Sequence, residues 1–203
     1  MNVKLPHVLL GLYIAEFAAL GINPYSRGVW IAENIPIVLI VMFLTASYRR
    51  FKFSNTSYLL MSVLVFLHTI GGYYTFERVP FGFATDVFGF TRNHYDRIAH
   101  FSVGFYAYPI AEYLHRKGLT ASKGLMAFAG ITAIFTVAAV YEIIEWLYAV
   151  SADPAAGMAF LGSQGDVWDA QKDMLSDGLG AVCAVLFFLL KTTARGTEAP
   201  SSR

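Results

Sequence analysis

The chain has 203 residues, 56% hydrophobic and 14% charged, with a mean hydropathy of +0.51 and a net charge of +1. Soluble domains carry about 25% charged residues, so the composition excludes an ordinary soluble enzyme and points to one polytopic membrane domain. The near-neutral charge offers no basic field for nucleic acid, and the single cysteine, Cys183, excludes an internal disulfide and a thiolate metal cage.

A bilayer core of about 30 Å needs roughly 20 apolar residues per helix. Six segments fit: 4–22, 30–48, 57–76, 96–115, 122–148 and 170–191. The fold expected is therefore all-α, a bundle of six transmembrane helices forming one domain over 1–192. Residues 193–203 are polar and predict a disordered cytoplasmic tail. The first segment lacks the cationic start of a signal peptide and carries Glu16, so it is taken as a span.

Basic residues set the orientation. Lys4, Arg49, Arg50, Lys52, Arg116, Lys117, Lys123, Lys191, Arg195 and Arg203 share one side of a six-span arrangement. Only Arg27, Arg78 and Arg92 fall in loops on the other side, with Arg97 and Lys172 just inside helices that enter from there. Both termini are then cytoplasmic.

The two longer outer loops differ in character. Residues 77–95 repeat FGF at 81–83 and 88–90, a pattern that suits an interfacial segment or a cover over a cavity. Residues 149–168 contain Asp153-Pro154 and glycines 157, 162 and 165, and must turn before the last span.

The ionisable residues within spans crowd toward the outer end. Glu16, Glu33 and His68 lie there on spans one to three. Asp96 and His100, four apart, open span four on one face. Glu142 and Glu145, three apart, close span five. Asp166, Asp169, Asp173 and Asp177, spaced 3, 4 and 4, draw one stripe into span six. Glu112 is the exception, near the cytoplasmic end with Arg116 one turn on, the spacing of a surface ion pair.

A charge facing lipid costs roughly 2.5–3.5 kcal/mol on the insertion scale, so these groups must face one another or a polar cavity. Helix capping and the macrodipole favour acids at Asp96, Asp166 and Asp169, an alternative to a site role for these three. Neither effect accounts for Asp173 and Asp177, one and two turns deeper, or for Glu142 and Glu145 at a helix C-terminal end. Arg97 and Lys172 cannot neutralise all the acids. Either carboxyls are protonated or a cation is bound. Three chemistries fit: a carboxylate–histidine metal site, a proton or cation pathway, and a metal-free acid–base site. A purely structural polar core is the remaining reading.

The runs NHYDRIAHFSVGF, YEIIEW and GDVWDAQKDMLSDGLGA together resemble the YjdF family of bacterial inner-membrane proteins, over nearly the whole chain. More distantly the chain resembles the VanZ-like membrane proteins. There an Asp-x-x-x-His-Phe precedes a Glu-containing helix end and a terminal Asp-x-x-x-Asn-x-x-Gly, matched here by Asp96, His100 and Phe101, by Glu142 or Glu145, and by Asp173, Asp177 and Gly180. This chain has Asp177 in place of the Asn and lacks an Arg before the final Asp, which makes its cluster more acidic. The YjdF resemblance implies a membrane protein and picks out these residues, without a reaction.

The leading expectation is a metal-dependent hydrolase or transferase acting on a lipid, lipid-linked or envelope substrate. A divalent ion (Zn, Mn, Fe or Mg) would be held from among Asp96, His100, Glu142, Glu145, Asp169, Asp173 and Asp177. Glu142, Glu145 and His94 would carry acid–base steps, with His68, Asp166 and Glu33 in support. Phe81, Phe83, Phe88, Phe90, Trp146 and Trp168 would hold an acyl chain. The alternative is a small cation- or proton-coupled transporter, which with so few helices would prefer a dimer. Gly178 and Gly180 are expected at a close helix approach.

Overall fold

The computed structural model describes residues 4–152 and 154–196, and every described regular element is helical. They are α1 (Leu5–Leu20), α2 (Arg27–Ser47), α3 (Asn55–Tyr74), α4 (Gly82–Phe88), α5 (Tyr95–Val103), a 3₁₀ turn (Gly104–Tyr106), α6 (Ala107–Arg116), α7 (Lys123–Ser151), α8 (Pro154–Leu161) and α9 (Asp169–Gly196). Four of them, α2, α3, α7 and α9, are long and apolar enough to cross a membrane. Of the six spans the sequence pattern predicts, α1 is shorter, at 16 residues. The fourth folds as α5, the 3₁₀ turn and α6 in direct succession. The outward faces are apolar, as lipid requires: Phe43, Phe128, Val150 and Leu190 are among many exposed large hydrophobic side chains.

Helix starts are set by local chemistry. Pro6 opens α1, where a missing N–H costs nothing. Ser26, Ser54 and Ser122 accept from Val29, Ser57 and Leu125 N–H to cap α2, α3 and α7. Glu112 strengthens the second of these. Its carboxylate accepts from Ser54 N and Oγ, both at 2.9 Å, from Ser57 Oγ, and from Arg116 at 2.6 Å. The sequence spacing alone predicts a surface ion pair; Glu112 is 4% exposed and anchors the start of α3.

Two sets of helices meet along α3 and α5. α1 and α2 pack on α3, while α5, the 3₁₀ turn, α6 and α7 pack around α9. α8 folds back on α7, and Gly157 makes this fit: a Cβ there would stand 2.7 Å from the Ala149 carbonyl oxygen. Gly157 is thus a packing position within α8, while Gly162 and Gly165 make the turn, with φ of +60° and +84°. α7 extends three residues beyond the predicted span, and the FGF loop folds into α4. α9 continues through Gly196; of the stretch predicted as a tail, residues 197–203 lie outside the described residues, as does Asp153.

Candidate functional site

The site is positioned by a contact between backbones. A Cβ on Gly180 would overlap the Phe101 carbonyl oxygen, and one on Gly104 would overlap Ala181 N and the Asp177 carbonyl. Glycine at both positions lets α5 and its 3₁₀ turn lie directly on α9. Gly178 plays a related part, admitting the Phe135 ring from α7. With the helices this close, the i, i+4 pair Asp96 and His100 faces the i, i+4 series Asp169, Asp173 and Asp177.

The outer part of this seam is a network of ion pairs. Arg97 contacts Asp169 and Asp173 closely and reaches Asp166 at 3.5 Å. Arg92, from the loop before α5, approaches Asp169 at 2.7 Å and Asp166 at 3.5 Å, and donates to the Ser163 carbonyl. Lys172 pairs with Asp166 at 2.6 Å and, by that hydrogen bond first, holds its carboxyl below the usual range. Three cations thus meet Asp166, Asp169 and Asp173. Arg92 is the one that the sequence balance leaves aside, because nothing in a loop position shows that it folds inward. His94 sits beside this network, its ring edge-on to Phe90 at 4.5 Å. Burial and the charges of Arg92, Arg97 and Lys172 lower its pKa. It lines an outer groove with Arg97, Phe81, Phe88, Phe90 and Phe101, away from Glu142 and Glu145. Phe83, Trp146 and Trp168 are exposed.

One turn deeper the chemistry changes. His100 Nδ1 lies 3.3 Å from Asp177 Oδ2. Its other nitrogen, Nε2, faces Asp96 Oδ1 at 3.7 Å and Asp173 Oδ1 at 3.8 Å. A carboxylate accepting from Nδ1–H fixes the tautomer and turns the Nε2 lone pair toward the other two acids, the arrangement that orients histidine ligands in metal sites. One ligand atom from each of Asp96, His100 and Asp173 falls within 4.8 Å of the others. All three residues are buried, and Asp177 is 1% exposed with Oδ1 unpartnered among the described residues. Asp169, held by two arginines, stands outside this group.

Asp96, His100 and Asp177 line one wall of a cavity of about 100 Å³, room for several waters. On another wall, Glu33 accepts from the Tyr141 hydroxyl at 2.8 Å and meets His68 Nε2 at 3.0 Å. Gly72 makes that contact reachable: a Cβ there would stand 3.0 Å from Glu33 Cβ, so α3 lies close on α2. Glu145 lines the same cavity. Glu142 lies within electrostatic reach of His100, Asp96, Asp173 and Asp177, with Oε1 buried and without a partner among the described residues. The remaining walls are apolar, from Ile37, Ile40, Leu64, Val103, Val137 and Phe160, and Leu161 and Gly162 at the end of α8 close one side. Tyr141 joins the site although the acidic pattern does not select it; its place one turn before Glu145, on the same helix face, is the signal that would have found it.

The family model described as predicted membrane protein (DUF2238) matches residues 5–194. The chain belongs to this family. Among its relatives is "Inner membrane protein YjdF" of Escherichia coli (strain K12), 34% identical over 173 residues, covering 82% of this chain and 80% of the relative. The YjdF resemblance stands, while the more distant VanZ-like resemblance gains no support from these comparisons. No solved structure matches. With four helices long and apolar enough to cross, the family member described here is a multi-pass membrane protein.

Proposed function

We propose that the protein is an inner-membrane hydrolase or transferase that uses a divalent metal ion and acts on a lipid, lipid-linked or envelope substrate. The observation that carries this reading is the buried group Asp96, His100 and Asp173, with Asp177 orienting the imidazole. A carboxylate–histidine donor set suits Zn, Mn, Fe or Mg, and such an ion supplies an activated water and a Lewis acid. Glu142 and Glu145, within electrostatic reach of His100 and Asp96, would move the protons. The cavity's apolar walls favour an amphiphilic substrate.

In this reading the chain crosses six times, by α1, α2, α3, the α5–α6 run, α7 and α9. Both termini are cytoplasmic and the site opens to the periplasm, as the one-sided distribution of Lys and Arg favours. A transporter would need a polar path onward. Beyond Asp177, α9 instead presents Ala181, Ala184, Val185 and Phe188, packed with Ala107, Ala111 and Ile134 in a buried apolar core.

The test is metal analysis of the purified protein, followed by titration with Zn, Mn, Fe and Mg after chelator treatment. One ion per chain, bound in the micromolar range and lost in His100→Ala and Asp173→Ala, is the expected result. If no metal copurifies or binds in that range, or if both variants bind as the parent does, the metal reading fails.

A further inference from the structure

The end of the bundle opposite the acidic seam carries a second cavity, of about 150 Å³, between the start of α1, the end of α2 and the start of α3. Leu10, Leu44, Met61, Val65 and Phe66 are among the side chains that line it. Thr45 and Ser62 are satisfied within their own helices, donating to the Val41 and Leu59 carbonyls, both at 2.8 Å, and His7 stands edge-on to Tyr48. The walls therefore offer mainly hydrocarbon and aromatic surface. Tyr13 differs, because it is buried in the wall and its hydroxyl has no partner among the described residues. An ester carbonyl is the kind of acceptor that would satisfy it.

The mouth of this groove is strongly basic. Lys4 precedes α1, and Arg49, Arg50 and Lys52 follow α2, all exposed. Lys52 Nζ lies 5.4 Å from the centroid of the Tyr48 ring, which lines the groove. No Asp or Glu occurs from residue 34 to residue 76. Glu112, from the neighbouring helix, is held by Arg116, Ser54 and Ser57. None of the four cations has an acidic partner among the described residues. Beside them, Phe51, Phe53, Tyr58 and Tyr113 stack edge to ring, with Arg116 over Phe51 at 4.6 Å, the make-up of an interfacial belt.

We infer that this groove binds an anionic phospholipid, one acyl chain lying in the groove and the headgroup phosphate held by Lys4, Arg49, Arg50 and Lys52. Charge complementarity selects the occupant. Four unpaired cations at the mouth of a hydrocarbon cleft match an acyl chain ending in a net negative head, whereas a zwitterionic lipid carries its own cation. The site is independent of the metal reading: Ile37 and Leu64 belong to the cluster that separates the groove wall, at Tyr13 and Val65, from the acidic cavity.

The test uses the full chain purified in detergent, then offered phosphatidylglycerol or phosphatidylcholine of identical acyl chains, with native mass spectrometry and thermal unfolding as readouts. Phosphatidylglycerol is expected to be retained and to raise the midpoint, and phosphatidylcholine to do neither. Each basic residue removed should weaken retention about five-fold, so Arg49→Gln/Arg50→Gln/Lys52→Gln abolishes the preference. Thr45→Trp, which fills the groove from an exposed position, should abolish retention with the charges intact. Equal retention of both lipids overturns the proposal. So does preference surviving in the triple variant, retention surviving in Thr45→Trp, inorganic phosphate reproducing the thermal shift, or a copurifying protein displacing the lipid.

Discussion

Arg97 joins the outer ion pairs to the buried acid–histidine group, and its removal separates their contributions. In Arg97→Gln, Asp169 keeps Arg92 at 2.7 Å, but Asp173 loses the cation in direct contact with it and, among the described residues, keeps His100 at 3.8 Å. The Arg97 and Asp173 side chains are 12% and 4% exposed. Removing one partner of a buried pair costs about 3–5 kcal/mol, because the remaining charge stays desolvated. With Asp169 still compensated, about 3 kcal/mol is expected. At about 2–4 °C per kcal/mol for a chain of this size, the midpoint should fall by roughly 6–12 °C. Thermal unfolding of detergent-purified protein, followed by intrinsic fluorescence, measures this. Adding Asp173→Asn to Arg97→Gln should return much of the loss, since the stranded charge is then gone. Divalent ions should stabilise Arg97→Gln more than the parent, because Asp173 no longer shares its oxygens with a guanidinium. A fall below about 2 °C, or a double variant at the simple sum of the two singles, would refute the charge-stranding account. An unchanged response to divalent ions would refute the sharing of Asp173.

Three further outcomes follow from the geometry. Gly180→Ala and Gly104→Ala set a methyl against backbone that cannot turn aside, so each should cost about 3 kcal/mol or more or prevent assembly; Gly11→Ala, in the interior of α1 with nothing within 4 Å, should cost nothing and stabilise by up to about 1 kcal/mol, and expression with thermal midpoints separates the cases. Glu112→Gln weakens the charged cap of α3 and its pair with Arg116, and should lower stability by about 1–2 kcal/mol, measured the same way. Tyr141→Phe removes the donor to Glu33 Oε2, leaving His68 at 3.0 Å. It should cost about 1–2 kcal/mol and leave metal content unchanged in elemental analysis, since the Tyr141 hydroxyl serves Glu33 and the ring that stays keeps its edge contact with His100.

Much of this molecule is written locally, and what is missed is written at a distance. The long apolar runs of α2, α3, α7 and α9 are visible in the chain because a bilayer demands their length. The facing of DRIAH and the terminal aspartates is visible because lone charges in lipid are too costly to scatter. Gly178 and Gly180 are legible as small residues on a helix face. The 3₁₀ turn at Gly104–Tyr106 is not, since the need for a Cβ-free residue there arises from Gly180, far along the chain. Arg92 looks like an ordinary loop cation until the turn at Gly162 to Gly165 brings Ser163, Asp166 and Asp169 under it. Glu112 has an obvious local partner in Arg116, which conceals the more distant one, the start of α3. The segments around α4 and α8 are short and glycine-containing, and the packing of α8 against α7 is a contact that the local sequence does not display.

The charge balance, taken in depth order, divides the stripe of aspartates in two. Asp166 and Asp169 face Arg92, Arg97 and Lys172 and need nothing more. Deeper, Glu33, Asp96, Glu142, Glu145 and Asp177 share two histidines, and an oxygen of Glu142 and one of Asp177 are buried without a partner among the described residues. Asp173 belongs to both groups, touching Arg97 on one side and facing His100 on the other. Among the described residues the excess of acid thus gathers at and beside the cavity, with Glu16 on α1 a further acid that has a buried unpartnered oxygen outside it, and bound protons or a bound cation must make up the difference. A doubly protonated His100 would donate from Nδ1 to Asp177 and direct Nε2–H toward Asp96 and Asp173, which is the proton-based account of its orientation. A cation between Asp96 and Asp173, as in the proposed function, would instead take Nε2 as a ligand. Because such an ion competes with protons for the same oxygens, its affinity should rise with pH. Repeating the divalent titration at two pH values shows which of the two balances the cavity: affinity that is independent of pH argues against an ion held by these carboxylates.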